Sequence, residues 1–318
     1  MKSKKVVLSL LASVVCAFNA KAASQLPSEI NIVYVKAPFN LQNMVMKEKG
    51  MLEEAFAKDN VKIQWKTITS GAKQAQAMAS GAVDISAVMN TASLLIANGA
   101  DNPVKVISGV SHPADTFAIV GKAGEKLEIK DLKGKKVAGP RGTVLHQLLV
   151  AALVKNGLKA TDVEFVAMDQ PGTLSALTSG HIDAGLLSAS GIIKAQQAGC
   201  EVITTAKGLV DVNLVMTARA QFIAEHPEAV ERVVQVQHKA LKWIQDNWDE
   251  AVAIGAKEHG ISIEDAQKLA RWSNYYNAVT KADINGVAID QEFLIDNKMM
   301  KKRVDVNALF TSFAFENN

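Results

Sequence analysis

The residue types best suited to binding a charged group stand close together in residues 131–149, which read DLKGKKVAGPRGTVLHQLL. The pattern predicts a strand, a glycine-containing turn and a helix that begins near Thr143. The first amides of a helix have no backbone partner and lie at the positive end of the helix dipole. The amides of Gly142, Thr143 and Val144 could therefore hold an oxyanion, helped by the Thr143 hydroxyl. The Arg141 guanidinium beside them could add a charge-assisted hydrogen bond.

These residues also have a purely structural interpretation. Thr143 can cap its own helix and Arg141 can point to water, and every strand-to-helix turn of an α/β protein offers similar amides. His146 lies in the first turn of the same helix among leucines, which favours a packed histidine over a ligand contact. The residues by themselves leave both interpretations open.

Catalytic and metal-binding patterns are missing from the sequence. None of the motifs GxSxG, HExxH and CxxC occurs, and the six histidines are scattered. Of the two cysteines, Cys16 lies in an N-terminal apolar run, and Cys200 follows Gly199 where a helix is expected to give way to a strand. We therefore expect no catalytic residue, no metal site and no cofactor, and a buried, inert Cys200.

The first 22 residues have the layout of a secretory signal peptide. Three lysines within the first five residues precede an apolar run at 6–18, and the small-residue sequence AKA follows at 20–22. The run is shorter than the roughly 20 residues that span a bilayer. Removing the four lysines of this segment changes the formal net charge from +3 to −1, so charge gives no reason to expect nucleic-acid binding. We expect an exported, periplasmic chain that begins near Ala23.

From residue 30 onward, short runs of β-branched residues alternate with amphipathic segments of helix length. This alternation predicts βαβ units around mainly parallel sheets, and the pattern turns helical after about residue 217. A mature length of about 295 residues exceeds what one hydrophobic core usually holds and indicates two domains. The predicted strands include 30–35, 61–67, 83–88 and 104–109, and the predicted helices include 41–58.

An internal repeat supports two similar lobes. The sequence AMASGAVD at 77–84 recurs as ALTSGHID at 176–183, and each copy is typical of a helix closed by a glycine and followed directly by a strand. Such helix ends are common in unrelated proteins, which is the alternative explanation. The matching elements on both sides of each copy favour a duplication.

The stretch 131–149, followed by NGLK at 156–159 and GHIDA at 180–184, resembles the aliphatic-sulfonate, nitrate and taurine family of periplasmic binding proteins. The resemblance implies a two-lobed α/β fold of the type II kind, in which each lobe is a mainly parallel sheet flanked by helices and the ligand lies between the lobes. After the signal peptide at 1–22, it implies lobe 1 at 23–112 and 213–318, and lobe 2 at 113–212. The chain would cross between the lobes near 109–117 and 206–214.

The resemblance also implies where a ligand would bind, namely in loops at the carboxyl ends of strands. Ser70 and Thr91 could equally serve as helix caps, and Asp115 could either receive a ligand amine or brace the hinge. The expected ligand-binding residues are Asn40, Ser70, Gly71, Asn90, Thr91, Asp115, Thr116, Arg141, Gly142, Thr143, Val144 and Ser188.

The function that the resemblance implies is that of a non-catalytic, substrate-binding component of an ABC-type importer. It would capture a small, anionic nutrient, such as a sulfonate, nitrate or a taurine-like compound, and deliver it as a monomer to a permease in the inner membrane. Sulfonate-binding members have an aromatic Trp-Asp-Pro segment where this chain has GLLSASG at 185–191, so the ligand's identity stays open. The alternatives are a desulfinase-like hydrolase of the same fold and a ligand-sensing adaptor.

Overall fold

The computed structural model describes residues 26–315. The expected signal peptide, residues 1–22, therefore lies outside the described residues. Within residues 26–315, no helix combines the length and the apolar character that a membrane crossing requires.

The described chain contains strands β1 to β10 and α-helices α1 to α12. The strands are β1 (Glu29–Tyr34), β2 (Lys62–Thr67), β3 (Ile85–Asn90), β4 (Val104–Ser111), β5 (Phe117–Gly121), β6 (Lys136–Gly139), β7 (Glu164–Ala167), β8 (Ala184–Ser188), β9 (Glu201–Thr205) and β10 (Leu214–Arg219). The helices are α1 (Leu41–Glu48), α2 (Met51–Phe56), α3 (Gly71–Ala79), α4 (Thr91–Asn98), α5 (Val144–Lys155), α6 (Gln170–Thr178), α7 (Ser190–Gln197), α8 (Ala220–Glu225), α9 (Pro227–Asp246), α10 (Trp248–His259), α11 (Ile263–Ser273) and α12 (Lys281–Asp296).

The strands form two five-stranded sheets of the same design. The first has the order β2-β1-β3-β10-β4, and the second has the order β7-β6-β8-β5-β9. In each sheet the strand in the fourth position is antiparallel to both of its neighbours, β10 in the first and β5 in the second. The predicted pair of mainly parallel sheets flanked by helices is confirmed.

The two antiparallel strands were not apparent in the sequence pattern, and their cause is the connection between the sheets. The chain leaves the first sheet after Ser111 and enters the second as β5, and it returns from the second sheet as β10. Each of these strands starts at the edge where the parallel strands of its sheet end, so it must run in the opposite direction.

We call the first sheet with α1–α4 and α8–α12 lobe 1, and the second sheet with α5–α7 lobe 2. The exact lobe boundaries, at 112/113 and 212/213, stay a prediction.

The internal repeat forms the same structure in both lobes. Gly81 after α3 and Gly180 after α6 have φ angles of 74° and 75°, the left-handed region that glycine adopts most easily. In each copy the aspartate three residues later accepts a hydrogen bond from the backbone of a neighbouring strand, Asp84 from Asn31 and Asp183 from Lys136, both at 2.9 Å. The sequence repeat therefore reflects equivalent positions in the two lobes.

The predicted helix at 41–58 is broken into α1 and α2. Gly50 lies between them in a left-handed conformation with φ of 62°, which ends α1 and turns the chain before α2 begins. The long C-terminal helices α9 and α10 pack on α1, and α12 packs on α4, so the predicted helical region belongs to lobe 1.

Candidate ligand-binding site

A cleft of about 430 Å³, partly open to solvent, lies between the two lobes. Its walls are formed where parallel strands end and helices begin, the usual ligand position in open α/β sheets. Lobe 1 contributes Gly71 at the start of α3 and Asn90 at the end of β3. Lobe 2 contributes Thr143 before α5 and Ser188 at the end of β8.

The lining of the cleft is neutral. Its apolar part includes Val35, Val88, Phe117, Leu145 and Leu214, and its polar groups are hydroxyls, side-chain amides and backbone amides. Among the described residues that line the cleft, none is Asp, Glu, Lys, Arg, His or Cys. The groups that this lining offers to a charged ligand are therefore hydrogen-bonding groups and dipoles rather than charged side chains.

Five of the expected ligand-binding residues line this cleft. They are Gly71, Asn90, Thr143, Val144 and Ser188. The Thr143 hydroxyl donates to the Pro140 carbonyl at 2.8 Å, whereas the Thr143 amide has no hydrogen-bond partner among the described residues. The amide is therefore the donor that this residue offers to the cleft.

Three more of the expected residues support the walls without lining them. The buried Asn40 donates through Nδ2 to the carbonyls of Val35 and Ala37, at 2.6 and 3.0 Å, and so holds the loop after β1 in place. Ser70 is buried at the start of α3, where its side chain makes no capping hydrogen bond. Thr116 is buried and donates to the Pro113 carbonyl at 2.8 Å.

Asp115 lies in the first crossing segment and does not line the cleft. Its carboxylate pairs with Lys207 of the second crossing segment, with Oδ2 and Nζ 3.6 Å apart. Both side chains are partly or largely exposed to solvent. The pair therefore connects the two crossing segments.

Arg141 and Gly142 face a second groove between the lobes, which His146, Phe165 and Lys298 also line. The Arg141 guanidinium lies 4.7 Å from the centre of the Phe165 ring, an arrangement that stacks the cation on the aromatic face. Burial lowers the pKa of His146 to about 4, and the charge of Arg141 contributes in the same direction. His146 is therefore neutral at physiological pH.

Direct hydrogen bonds join the lobes at the rim of the cleft. Asn90 Oδ1 accepts from the Ser93 amide at 2.9 Å in its own lobe and from the Val144 amide at 3.1 Å in lobe 2. Ser93 Oγ donates to the Gly142 carbonyl at 2.9 Å. The Val144 amide, a candidate oxyanion donor, is thus engaged by a side chain of the opposite lobe.

A second set of contacts between the lobes involves a buried acid. Gln147 Nε2 on α5 donates to Asp290 Oδ1 on α12 at 2.7 Å, and the Thr91 hydroxyl lies 3.5 Å from Asp290 Oδ2. Burial raises the pKa of Asp290 to about 7, and the carboxylate of Asp211 adds to the rise, while these two hydrogen bonds oppose it. Thr91 is therefore placed at the interface of the lobes rather than in the cleft lining.

Two glutamines of the cleft were missed by the sequence reasoning. Gln170 Oε1 accepts from the Ser188 amide at 2.9 Å and from the Ser188 hydroxyl at 2.8 Å. Gln74 donates to the Ile68 carbonyl at 2.8 Å and accepts from the Ser86 hydroxyl at 2.7 Å. Sequence could have indicated Gln170, because it shortly follows the β-branched run at 163–167 and precedes a helix, as Thr143 stands between a strand and a helix.

Cys200 lies at the helix-to-strand junction before β9, away from the cleft lining. It is buried, and burial raises the pKa of its thiol. The thiolate that a nucleophile or metal ligand requires is therefore disfavoured. Among residues 26–315, no group of three or more His, Cys, Asp or Glu side chains is arranged to hold a metal ion.

Comparisons with known proteins agree with this architecture. A family model described as NMT1/THI5 like matches residues 45–251. A protein of Bacillus subtilis (strain 168), provisionally named as an aliphatic sulfonates-binding protein, is 26% identical over 269 residues, which cover 83% of this chain and 80% of that protein.

Solved structures with the same fold include binding proteins and an enzyme. The alkanesulfonate-binding protein SsuA from Xanthomonas axonopodis pv. citri, solved with bound MOPS, superposes with a TM-score of 0.80 at 18% identity, covering 90% of this chain and 99% of that one. The desulfurization enzyme DSZB superposes with a TM-score of 0.66 at 14% identity, covering 90% of this chain and 97% of that one. These likenesses show the fold. The chain belongs to the NMT1/THI5-like family and has the two-lobed periplasmic binding protein fold, as the resemblance of residues 131–184 implies.

Proposed function

We propose that this protein is the substrate-binding component of an ABC-type importer and binds a small, sulfonate-like anion between its lobes. The observation that carries the proposal is the interlobe cleft, which is lined by hydrogen-bonding groups from the carboxyl ends of strands in both sheets. A ligand that bonds to both lobes favours the closed arrangement by its differential affinity for that arrangement. The named function of the Bacillus subtilis relative supports the same class of ligand.

The contacts we propose for the anion are neutral donors. Gly71, Asn90, Thr143, Val144 and Ser188 form the binding surface. The Val144 amide and both donors of Ser188 are already engaged within the protein, so the backbone donor that we assign to the ligand's negatively charged group is the Thr143 amide at the start of α5. The other expected residues lie outside this surface, in its supporting walls, in the crossing segments, at the interface of the lobes or in the second groove. A singly charged head group suits this surface because a second negative charge would be buried without a positive partner.

We further propose that the protein does not catalyse a reaction, although the enzyme DSZB shares its fold. The hydroxyl of Ser188 is engaged with Gln170, and no histidine or carboxylate lines the cleft among the described residues to remove its proton. The only cysteine of the described residues lies elsewhere, with a raised thiol pKa. These features support capture and release of an unchanged ligand.

Binding can be tested by calorimetry and thermal unfolding of the purified protein with ethanesulfonate, taurine, MOPS, nitrate and acetate. A ligand present at 100 times its dissociation constant should stabilise the fold by about 2.7 kcal/mol. Mass spectrometry of the recovered ligand should find it unchanged. A chemically altered ligand would instead support the hydrolase, and the absence of binding to every anion would contradict the proposal.

The proposed cellular context needs its own test. We infer that residues 1–22 direct export, that the mature chain resides in the periplasm as a monomer, and that it docks on a permease of the inner membrane. Fractionation of the source cells, with sequencing of the mature N-terminus, should find a periplasmic chain beginning near Ala23. Ligand-dependent co-purification with an ABC permease would support transport, whereas co-purification with a membrane receptor kinase would support the sensing adaptor.

A further inference from the structure

Two side-chain amides in the cleft have orientations that their hydrogen bonds determine. The Ser188 backbone amide can only donate, so the Gln170 atom that it contacts at 2.9 Å must be the acceptor, Oε1. Nε2 is then the other atom of the Gln170 amide. It makes no hydrogen bond to the described residues of the protein, although Gln170 lines the cleft.

The same reasoning applies to Asn90 in the opposite lobe. The backbone amides of Ser93 and Val144 both contact one side-chain atom of Asn90, which must therefore be Oδ1. Nδ2 lies beside Gly71, since a Cβ atom added to that glycine would be 2.9 Å from it. Nδ2 also lacks a hydrogen-bond partner among residues 26–315, and both Asn90 and Gly71 line the cleft.

Gln74 shows that these unused donors are not a general property of the lining. Its Nε2 donates to the Ile68 carbonyl and its Oε1 accepts from Ser86, so both ends of this amide are satisfied within lobe 1. Asn90 Nδ2 and Gln170 Nε2 are both accessible to solvent, since neither is among the fully buried side-chain atoms that lack a partner, and a ligand or water in the cleft can therefore accept from them. Asn90 and Gln170 are therefore held ready for acceptor atoms that enter the cleft.

We infer that Asn90 and Gln170 are the specificity-determining pair of the cleft, one neutral donor from each lobe, and that they bind the oxygen atoms of a singly charged oxyanion. The inference rests on the proposed function and adds the residues that select the head group. A sulfonate is ionised throughout the physiological pH range and offers three acceptor oxygens without a donor. A phosphonate of the same size carries either a hydroxyl donor or a second negative charge, neither of which this pair accommodates.

The decisive variant is Gln170→Glu. It keeps an oxygen for the Ser188 amide and nearly the same shape, but it replaces the Nε2 donor with a carboxylate oxygen that repels an anion. We expect calorimetry to show about 10- to 100-fold weaker binding of ethanesulfonate than in the wild type. Asn90→Asp should weaken binding similarly from lobe 1. The wild type should also prefer ethanesulfonate over ethylphosphonate.

Gln197→Glu is the matched control, because Gln197 is exposed at the end of α7 in the same lobe and the variant introduces the same charge. It should change the affinity by less than about twofold. Thermal unfolding without ligand checks that Gln170→Glu remains folded.

The outcomes separate this inference from the proposed function. Ethanesulfonate binding that is equally tight in the wild type and in Gln170→Glu would overturn the inference while leaving the function intact. A third outcome is that the wild type binds acetate or nitrate but no sulfonate, and that Gln170→Glu loses that binding. This result would support the role of Asn90 and Gln170 in anion binding and contradict a sulfonate as the ligand. A wild type that binds none of these anions would overturn both.

Discussion

Gln147 of lobe 2 and Asp290 of lobe 1 join the lobes through a buried hydrogen bond, with Nε2 2.7 Å from Oδ1. Both side chains are almost fully buried, and Asp290 belongs to α12, far along the chain from α5. The protonation of this acid is therefore coupled to the packing of the two lobes.

The stability of the protein should depend on Asp290 in a defined pH window. The pKa of Asp290 is about 7 in the folded chain, above its ordinary value near 4, so the folded state binds the proton more tightly than the unfolded state. This contribution is fully present below pH 4 and is lost as the pH rises through 7. Asp290→Asn should remove this contribution to the pH dependence. Between pH 5 and pH 8 the wild type should therefore lose on the order of 2 to 3 kcal/mol more stability than the variant.

Denaturant unfolding at pH 5 and pH 8 measures this difference. Asp296→Asn, at an exposed position of the same helix, is the control and should keep the pH dependence of the wild type. Equal pH dependence in Asp290→Asn and the wild type would show that the acid does not titrate in this window.

Gly71→Ala should disturb the rim of the cleft. The new Cβ would lie 2.6 Å from Ser93 Oγ and 2.9 Å from Asn90 Nδ2, closer than real Cβ atoms approach. Displacing these side chains breaks the contacts of Ser93 with Gly142 and of Asn90 with Val144. We expect a stability loss of about 1 to 3 kcal/mol and weaker ligand binding, measured by denaturation and calorimetry.

Gly191→Ala is the matched control for that variant. A Cβ at this position of α7 would meet only Leu187 atoms at 3.7 Å, an ordinary contact distance, and the helical backbone suits alanine. Its stability should stay equal to the wild type or rise slightly. A similar loss in both glycine variants would mean that the contacts at the rim are not the cause.

Asp115→Asn tests whether this residue receives a ligand amine or braces the crossing segments. Because Asp115 pairs with Lys207, we expect a small loss of at most about 1 kcal/mol in stability. Taurine carries an ammonium group and ethanesulfonate does not, so the ratio of their affinities should be the same in the variant and in the wild type. A selective loss of taurine binding, seen by calorimetry, would instead place the amine at Asp115.

The duplicated aspartates should differ in their contribution to stability. The Asp84 carboxylate accepts from the Asn31 amide and pairs with Arg219, and the Asp84 side chain is 7% exposed. The Asp183 carboxylate accepts from the Lys136 amide and pairs with Lys122, and the Asp183 side chain is 24% exposed. Asp84→Ala leaves a partly buried guanidinium without its carboxylate and should cost about 3 kcal/mol. Asp183→Ala should cost about 1 to 2 kcal/mol in the same denaturation experiment. Equal losses would contradict the role of burial.

Local patterns in the sequence determined the fold class, and the resemblance of residues 131–184 to a known family added the expected position of the cleft. The alternation of β-branched runs with amphipathic segments follows from burial on the two faces of a sheet, so it indicates strands and helices without knowledge of their neighbours. The repeat ending in Gly81 and Gly180 marked equivalent helix ends because only glycine adopts positive φ easily. Thr143 and Ser188 were expected in the cleft as what the resemblance implies, and their positions at the carboxyl ends of strands agree with the usual ligand position in open α/β sheets.

Tertiary structure alone decided which polar groups meet across the lobes. Asn90, Val144, Gln147 and Asp290 are far apart in the chain, and nothing in their local sequence indicates that they pair. Arg141 stands beside Thr143 in sequence, yet the turn directs its side chain onto Phe165 in another groove. The antiparallel directions of β5 and β10 also depend on the path between the sheets. Local sequence reports what each segment forms, whereas pairing between lobes depends on how those segments are brought together in space.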